Sequence, residues 1–204
     1  MSGPRNANPE RLERMWEGEF GDRYVERNQG AGEQRGLFWG PFLRRYPVQS
    51  ALEVGVNIGL NLEHIATTGA RVVGADVNQR ALERLRERIP TVGAVRTAAR
   101  QLPFRKCSFE LVFTAGVLIH QPQESLDDVM RDIVRCSSHY VLCVEYYAAE
   151  LTEVPYRGQP GSLFKLDFGA RYLAVAPDLR LLWRVTPPVE YFGDEMTTWM
   201  FERS

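Results

Sequence analysis

Apolar positions along this chain follow two rhythms, and the rhythm changes near residue 50. Beyond that point short apolar runs at 50–54, 71–76, 92–96, 109–114 and 138–145 read as strands. Amphipathic stretches separate most of them. Leu60, Leu62, Ile65 and Ala66 mark one helix, stopped by Gly69. Asn78 caps another, with Ala81, Leu82, Leu85 and Ile89 on one face and Pro90 beyond it. Leu126, Val129, Met130, Ile133 and Val134 mark a third. Strands alternating with helices predict a parallel sheet covered on both faces. The runs at 181–185 and 197–201 have no full helix between them, so an antiparallel hairpin is expected to close a seven-stranded, mostly parallel α/β sheet. Upstream, Asn8-Pro9 reads as a helix start, followed by Leu12, Met15 and Trp16 on one face. A second helix is expected over 33–46, with Leu37, Phe38, Phe42 and Leu43 apolar. Residues 1–47 thus form an N-terminal helical segment or lid, and 48–204 the main domain. The segment 148–165, with Pro155, Gly158, Pro160 and Gly161, is long and irregular enough to be a binding loop.

Composition narrows the setting. The chain has 204 residues, 44% of them hydrophobic, and a net charge of -1. A nearly neutral chain gives no electrostatic case for nucleic acid or a membrane surface. The first thirty residues lack the apolar core of a signal peptide, and no run is long enough to span a bilayer. Cys107, Cys136 and Cys143 have no paired spacing, which argues against a disulfide framework or a metal site and for a reducing cytoplasm.

The candidate chemistry begins at the end of the first strand. A dinucleotide fingerprint needs G-x-G-x-x-G. Counted from Gly55, the second and third places hold Asn57 and Leu60, so a nicotinamide or flavin site is a poor fit. The pattern that fits is acid-x-Gly-x-Gly-x-Gly, filled by Glu53, Gly55, Asn57 and Gly59. It is similar to the glycine motif of S-adenosylmethionine (SAM) methyltransferases of the Rossmann-like class. Asparagine is the non-glycine residue best able to take a positive φ, so Asn57 is a tolerated member of the turn. Glu53 can face the cationic amino group of the cofactor. Asp76, at the end of the second strand and roughly 20 residues on, stands where ribose hydroxyls are gripped, with Val77 beside it. The alternative for Asp76 is a plain helix cap. Thr97-Ala-Ala-Arg-Gln-Leu-Pro-Phe104 resembles a segment whose acid binds the adenine amino group in such enzymes; Ala98 replaces the acid, leaving adenine to backbone groups around Ala98 and Ala99. Phe109 to His120 corresponds to the fourth strand and its loop, with Thr114, Ala115 and Gly116 at the cofactor.

The flanks sharpen the resemblance. Trp16-Glu-Gly-Glu-Phe-Gly-Asp-x-Tyr24-x-x-Arg27-Asn28, Gly55-Val-Asn-Ile-Gly-Leu-Asn-Leu62, Gly116-Val-Leu-Ile-His120, Glu145-Tyr-Tyr147, Val154-Pro-Tyr-Arg-Gly158 and Leu163-Phe-Lys-x-Asp-Phe168 resemble the pseudaminic acid biosynthesis-associated methylases. That family implies a Rossmann-like class I fold, SAM as cofactor and methyl transfer to a small molecule. The chain departs from it over Arg184 to Glu195, where the family carries an aromatic, His- and Asp-containing run, so the acceptor can differ.

Within this frame Tyr24, Arg27 and Asn28 are candidates to close over SAM, Arg27 on its carboxylate. His120 is a candidate base or a structural hydrogen-bonder. Glu145 and Tyr146 are candidates for contact with a cationic or hydroxylated acceptor, the alternative for Glu145 being an ion pair with Arg157 or Lys165. Tyr147, Tyr156, Arg157 and Lys165 complete the expected acceptor side. The expected activity is methylation of an amine or hydroxyl on a sugar or specialised metabolite. Transfer or cyclisation of the aminobutyryl chain of SAM and non-catalytic SAM binding are the alternatives. The sequence leaves monomer or homodimer open.

Overall fold

A computed structural model describes residues 8–28 and 34–204. Two helices, α1 (Pro9–Glu17) and α2 (Glu19–Asn28), come first, and α3 (Arg35–Arg45) follows. Asn8 caps α1 by accepting the Glu10 amide at 2.8 Å. The expected helix over 33–46 therefore appears as α3; its first expected residue, Glu33, lies outside the described residues.

The alternating part runs β1 (Ser50–Val54), α4 (Leu62–Ala66), β2 (Arg71–Asp76), α5 (Gln79–Arg88), β3 (Gly93–Arg96), β4 (Phe109–Ala115), a single 3-10 turn (Leu118–His120), α6 (Gln123–Cys136) and β5 (Ser137–Glu145). A short pair, β6 (Thr152–Glu153) and β7 (Phe164–Lys165), precedes α7 (Phe168–Val175), β8 (Leu179–Val185), α8 (Val189–Phe192) and β9 (Thr197–Arg203). The main sheet has the order β3-β2-β1-β4-β5-β9-β8. Neighbours from β3 to β5 are parallel, and β9 runs antiparallel to both β5 and β8. The fold is the Rossmann-like, mostly parallel seven-stranded sheet with a closing hairpin that the pattern predicts.

Two details differ from the pattern. The hairpin connection holds a four-residue helix, α8, between Pro188 and Gly193. The segment 148–165 is not wholly irregular, because β6 and β7 pair within it and Leu163 and Phe164 are buried. Both elements are too short to leave a periodic trace.

Apolar residues fill both faces of the sheet. On one, Trp39, Phe42, Leu62, Ile65, Leu82 and Leu85 from α3, α4 and α5 pack on the strands. On the other, Leu126, Met130 and Ile133 of α6 join Phe168 and Tyr172 of α7. Strand order reverses between β1 and β4, and a crevice opens there at the carboxyl ends of the strands, the place where open α/β sheets bind ligands.

Candidate functional site

The crevice is built first from the turn after β1. Gly55, Asn57 and Gly59 have φ of 71°, 48° and 84°, so all three positions of the motif adopt the left-handed conformation that the spacing requires. The Gly55 and Val56 amides both donate to the Ala75 carbonyl, at 2.7 and 3.1 Å, which ties the turn to the end of β2. A Cβ on Gly55 would meet Val117 at 2.3 Å, so nothing larger fits between the turn and the loop after β4.

Asp76 closes that corner. Its two carboxylate oxygens accept the amides of Asn57 at 2.8 Å and Asn78 at 2.9 Å. Burial raises its pKa and these amides oppose the rise. The acid is no helix cap: Asn78 caps α5 by accepting the Ala81 amide at 2.8 Å. The Val77 amide also bears on the carboxylate, and its two oxygens still keep a lone pair for a diol.

Glu53 lies on the other side of the turn, buried at 2% exposure. Its Oε1 accepts from Asn61 Nδ2 at 2.7 Å. Its Oε2 has no partner of good geometry, although the Leu62 amide bears on the carboxylate. Burial pushes its pKa up to about 8. Asn61 Oδ1 in turn accepts from Arg35 at 2.6 Å and from Trp39 at 3.3 Å.

Helices α1 and α2 roof the crevice. Leu12, Trp16, Tyr24, Val25 and Asn28 line it from above. The roof is held by the Asn78 side chain, whose Nδ2 donates to the Trp16 carbonyl at 3.0 Å and to Asp22 at 2.9 Å. Ion pairs of Glu13 with Arg100 at 2.6 Å, Glu26 with Arg80 at 2.5 Å, and Glu17 with Arg96 add to it. Burial raises the Tyr24 pKa, with a smaller contribution from Tyr156.

At the far end stands His120, 8% exposed. Its Nδ1 lies 2.6 Å from the Ser162 carbonyl, which can only accept, so Nδ1 carries the proton and Nε2 keeps a free lone pair. Burial pushes its pKa down to about 4, against the Ser162 bond. The ring packs on Trp16 and Tyr156, with centroids 4.6 and 5.1 Å away.

Ten of the fourteen expected cofactor residues come together on the wall of this one crevice: Tyr24, Asn28, Glu53, Gly55, Asn57, Asp76, Val77, Ala99, Ala115 and Gly116. Four do not. Gly59 faces α5, where an added Cβ would meet Leu85 at 2.5 Å. Thr114 is buried beside Cys143 and Glu145 under the floor. Ala98 is set back from the crevice, which Thr97 and Ala99 line on either side of it. Arg27 is exposed and stacks over the Tyr24 ring at 5.4 Å, so it does not reach the space.

The expected acceptor residues fare worse. Glu145 is a structural anchor, not an acceptor contact: Oε1 accepts the amides of Val117 and Leu118, each at 3.1 Å, and Oε2 that of Ile119 at 3.3 Å. It thereby holds the turn that carries His120. It forms no ion pair with Arg157 or Lys165 either. Burial pushes its pKa up to about 7. Tyr146 donates its hydroxyl to Asp194 and carries Lys165 over its ring at 4.9 Å. Tyr147 is stacked under Arg184 at 3.9 Å. Arg157 is exposed over its own neighbour Tyr156, at 5.8 Å. None of these lines the crevice; Tyr156 backs His120 from behind. The residue that sequence reasoning missed is Arg35, which lines the crevice beside Asn61. Nothing in its spacing distinguishes it from the many other arginines.

Residues 51–139 match a family of methyltransferase domains. Over 89 residues the chain is 30% identical to an uncharacterised methyltransferase of Synechocystis, covering 44% of this chain and 42% of that protein. The chain thus spans less than half the length of this curated relative. The fold is similar to that of the 1,6-didemethyltoxoflavin N1-methyltransferase of Burkholderia thailandensis, solved with its namesake compound and S-adenosylhomocysteine (SAH): TM-score 0.79, 14% identity, 100% of this chain and 93% of the other. It is also similar to the magnesium protoporphyrin IX methyltransferase of Synechocystis with bound SAH: TM-score 0.76, 11% identity, 97% of this chain and 100% of the other.

Proposed function

We propose that this protein is a SAM-dependent methyltransferase acting on a small molecule, an amine or hydroxyl of a sugar or specialised metabolite in the cytoplasm. The observation that carries the reading is the corner formed by Gly55, Asn57 and Asp76, in which a left-handed turn presents its backbone to the crevice next to a carboxylate with free lone pairs. The residues fit the cofactor. Glu53 Oε2 and Asn57 Oδ1 are buried without partners in a wall that would face a charged amino-acid chain, and the glycine turn leaves room where a Cβ would clash. Asp76 would hold the ribose, Thr97 and Ala99 would flank the adenine, and Glu53 would face the ammonium. The small-molecule acceptors of the two methyltransferases of like fold, and the resemblance to the pseudaminic acid-associated methylases, support the acceptor class.

The bound cofactor supplies a methyl group already activated by a sulfonium, so the protein needs chiefly to align the acceptor and exclude water. The roof of α1 and α2 excludes water. His120 lines the space, and with Nδ1 bonded to the Ser162 carbonyl its Nε2 is the nitrogen left with a lone pair. It is placed to accept a proton or hydrogen bond from the acceptor's N–H or O–H as the methyl arrives.

Mass spectrometry of protein incubated with SAM, with and without candidate amines, hydroxylated heterocycles and amino sugars, tests the reading. SAH and a product 14 mass units heavier, formed only with an acceptor (about one CH₂ gained, the atom balance of a methyl transfer), is the expected result. Methylthioadenosine above an enzyme-free control, without acceptor, would instead assign the protein to aminobutyryl chemistry.

A further inference from the structure

The far end of the crevice offers a ligand rings instead of charge. Among the described residues, the charged side chains on the crevice wall are Glu13, Arg35, Glu53 and Asp76. Glu13 is paired with Arg100, and the other three gather around the turn after β1. Toward His120 the wall is aromatic. Trp16 packs on His120, Phe20 and Tyr24, with centroids 4.6, 5.2 and 5.3 Å away. Tyr156 stands behind His120 at 5.1 Å. Tyr24 adds no charge, because burial raises its pKa.

Two polar atoms in this ring wall are uncommitted. Trp16 lines the crevice, and its Nε1 is buried with no hydrogen-bond partner among the described residues. A buried N–H without a partner costs free energy, so the group calls for one. His120 keeps the lone pair of Nε2, because Nδ1 is bonded to the Ser162 carbonyl. One donor and one acceptor thus belong to two rings in contact. A ligand that satisfies both needs an accepting atom beside an N–H, and a flat ring suits the aromatic wall. A carboxylate or an ammonium would be desolvated there with no counter-charge. An ammonium also has no lone pair to receive a methyl group. His120, its pKa pushed down to about 4 by burial, is too weak a base to free one.

We propose that the acceptor is a neutral, flat nitrogen heterocycle with a ring N–H next to an accepting oxygen or nitrogen, the N–H set on His120 Nε2 and the accepting atom on Trp16 Nε1. This rests on the SAM reading of the crevice and narrows its acceptor to a ring nitrogen, as in a cyclic amide, away from charged sugars. The ring nitrogen forms the new N–C bond while the methyl carbon's bond to sulfur breaks, that electron pair staying on sulfur. The N–H proton passes to His120 Nε2, and the imidazolium then gives it to water.

The test is calorimetric, on the full chain saturated with SAH. Lumazine and xanthine serve as flat N–H heterocycles, glucosamine and N-acetylneuraminic acid as charged sugars. At least one heterocycle is expected to saturate below millimolar and to bind about tenfold or more tighter than either sugar. Trp16→Phe keeps a ring in place and loses the N–H. It is expected to weaken the heterocycle about tenfold and to leave SAH within about twofold. The comparison of probes on the unsubstituted protein stands even where the variant does not fold. Three results overturn the proposal while SAH binding preserves the cofactor reading: neither heterocycle saturating at millimolar, a sugar binding as tightly, or a variant that leaves the heterocycle unchanged or weakens SAH equally. If SAH does not bind the unsubstituted protein, both readings fall.

Discussion

The two ends of the crevice are made in different ways. At the cofactor end the two acids and the backbone turns hang from strand ends: Glu53 and Gly55 at β1, Asp76 at β2, Gly116 at β4, with Asn61 at the start of α4 bonded to Glu53. Contacts such as Asn57 to Asp76 span about twenty residues or fewer. At the acceptor end the wall is assembled from chain segments far apart. Trp16 of the roof, His120 after β4 and Tyr156 of the 148–165 segment meet ring on ring, and Arg11 reaches Pro160 across 149 positions. The first end is a property of a strand–turn–helix unit. The second exists only when the whole chain has folded.

The largest test of that contrast is Glu145→Ala. If Glu145 belongs to the frame of the acceptor end, its removal strips three backbone amides of their acceptor and costs about 3 kcal/mol of stability, read as a drop in the urea midpoint. Loss of activity with an unchanged midpoint would return Glu145 to the reacting centre. Next comes His120→Ala, which is expected to lower turnover with a suitable acceptor about a hundredfold while leaving SAH affinity within twofold. Equal losses in both would make the histidine a packing residue.

Acidity then separates the two ends. Glu53, with its pKa near 8, is largely protonated at pH 7 in the free protein, and a cationic ammonium requires it ionised. Binding must therefore expel a proton, and SAH affinity should fall about tenfold per pH unit from 8 towards 6. Arg35, Asp76 and Asn61 are the groups that bear on Glu53. Glu53→Gln should bind more weakly and flatten the profile. His120, with its pKa near 4, stays neutral across that range and adds no slope. A flat profile in the unsubstituted protein would remove Glu53 from the ammonium. The smallest effect expected is that of Arg157→Ala. The side chain is exposed and stacks on its own neighbour, so turnover and affinity should change by less than about threefold, measured by steady-state kinetics.

The same contrast explains what could be read before folding. The sequence pattern located all seven strands of the sheet: β1, β2, β4 and β5 are parallel strands buried on both faces and leave apolar runs, and the antiparallel pair β8 and β9 showed as two runs with no full helix between them. The turn was legible through Asn57, since positive φ restricts residue type. Asp76 was legible through its distance from the turn. Arg27 and Arg35 were not separable, because which of two nearby arginines faces inward is decided by helix packing. Glu145 misled for a related reason. A carboxylate at the end of an apolar strand looks poised for ligand, and only the path of the loop after β4 reveals three amides already on it.

In the proposed function this crevice holds an adenosyl cofactor with Asp76 on the ribose. Titrating the protein with SAH in a calorimeter, beside the Asp76→Ala variant, tests it most directly. Saturable one-to-one binding, weakened by about 1–3 kcal/mol in the variant, is the predicted result. No saturation at millimolar SAH, or equal affinity in both proteins, would contradict it.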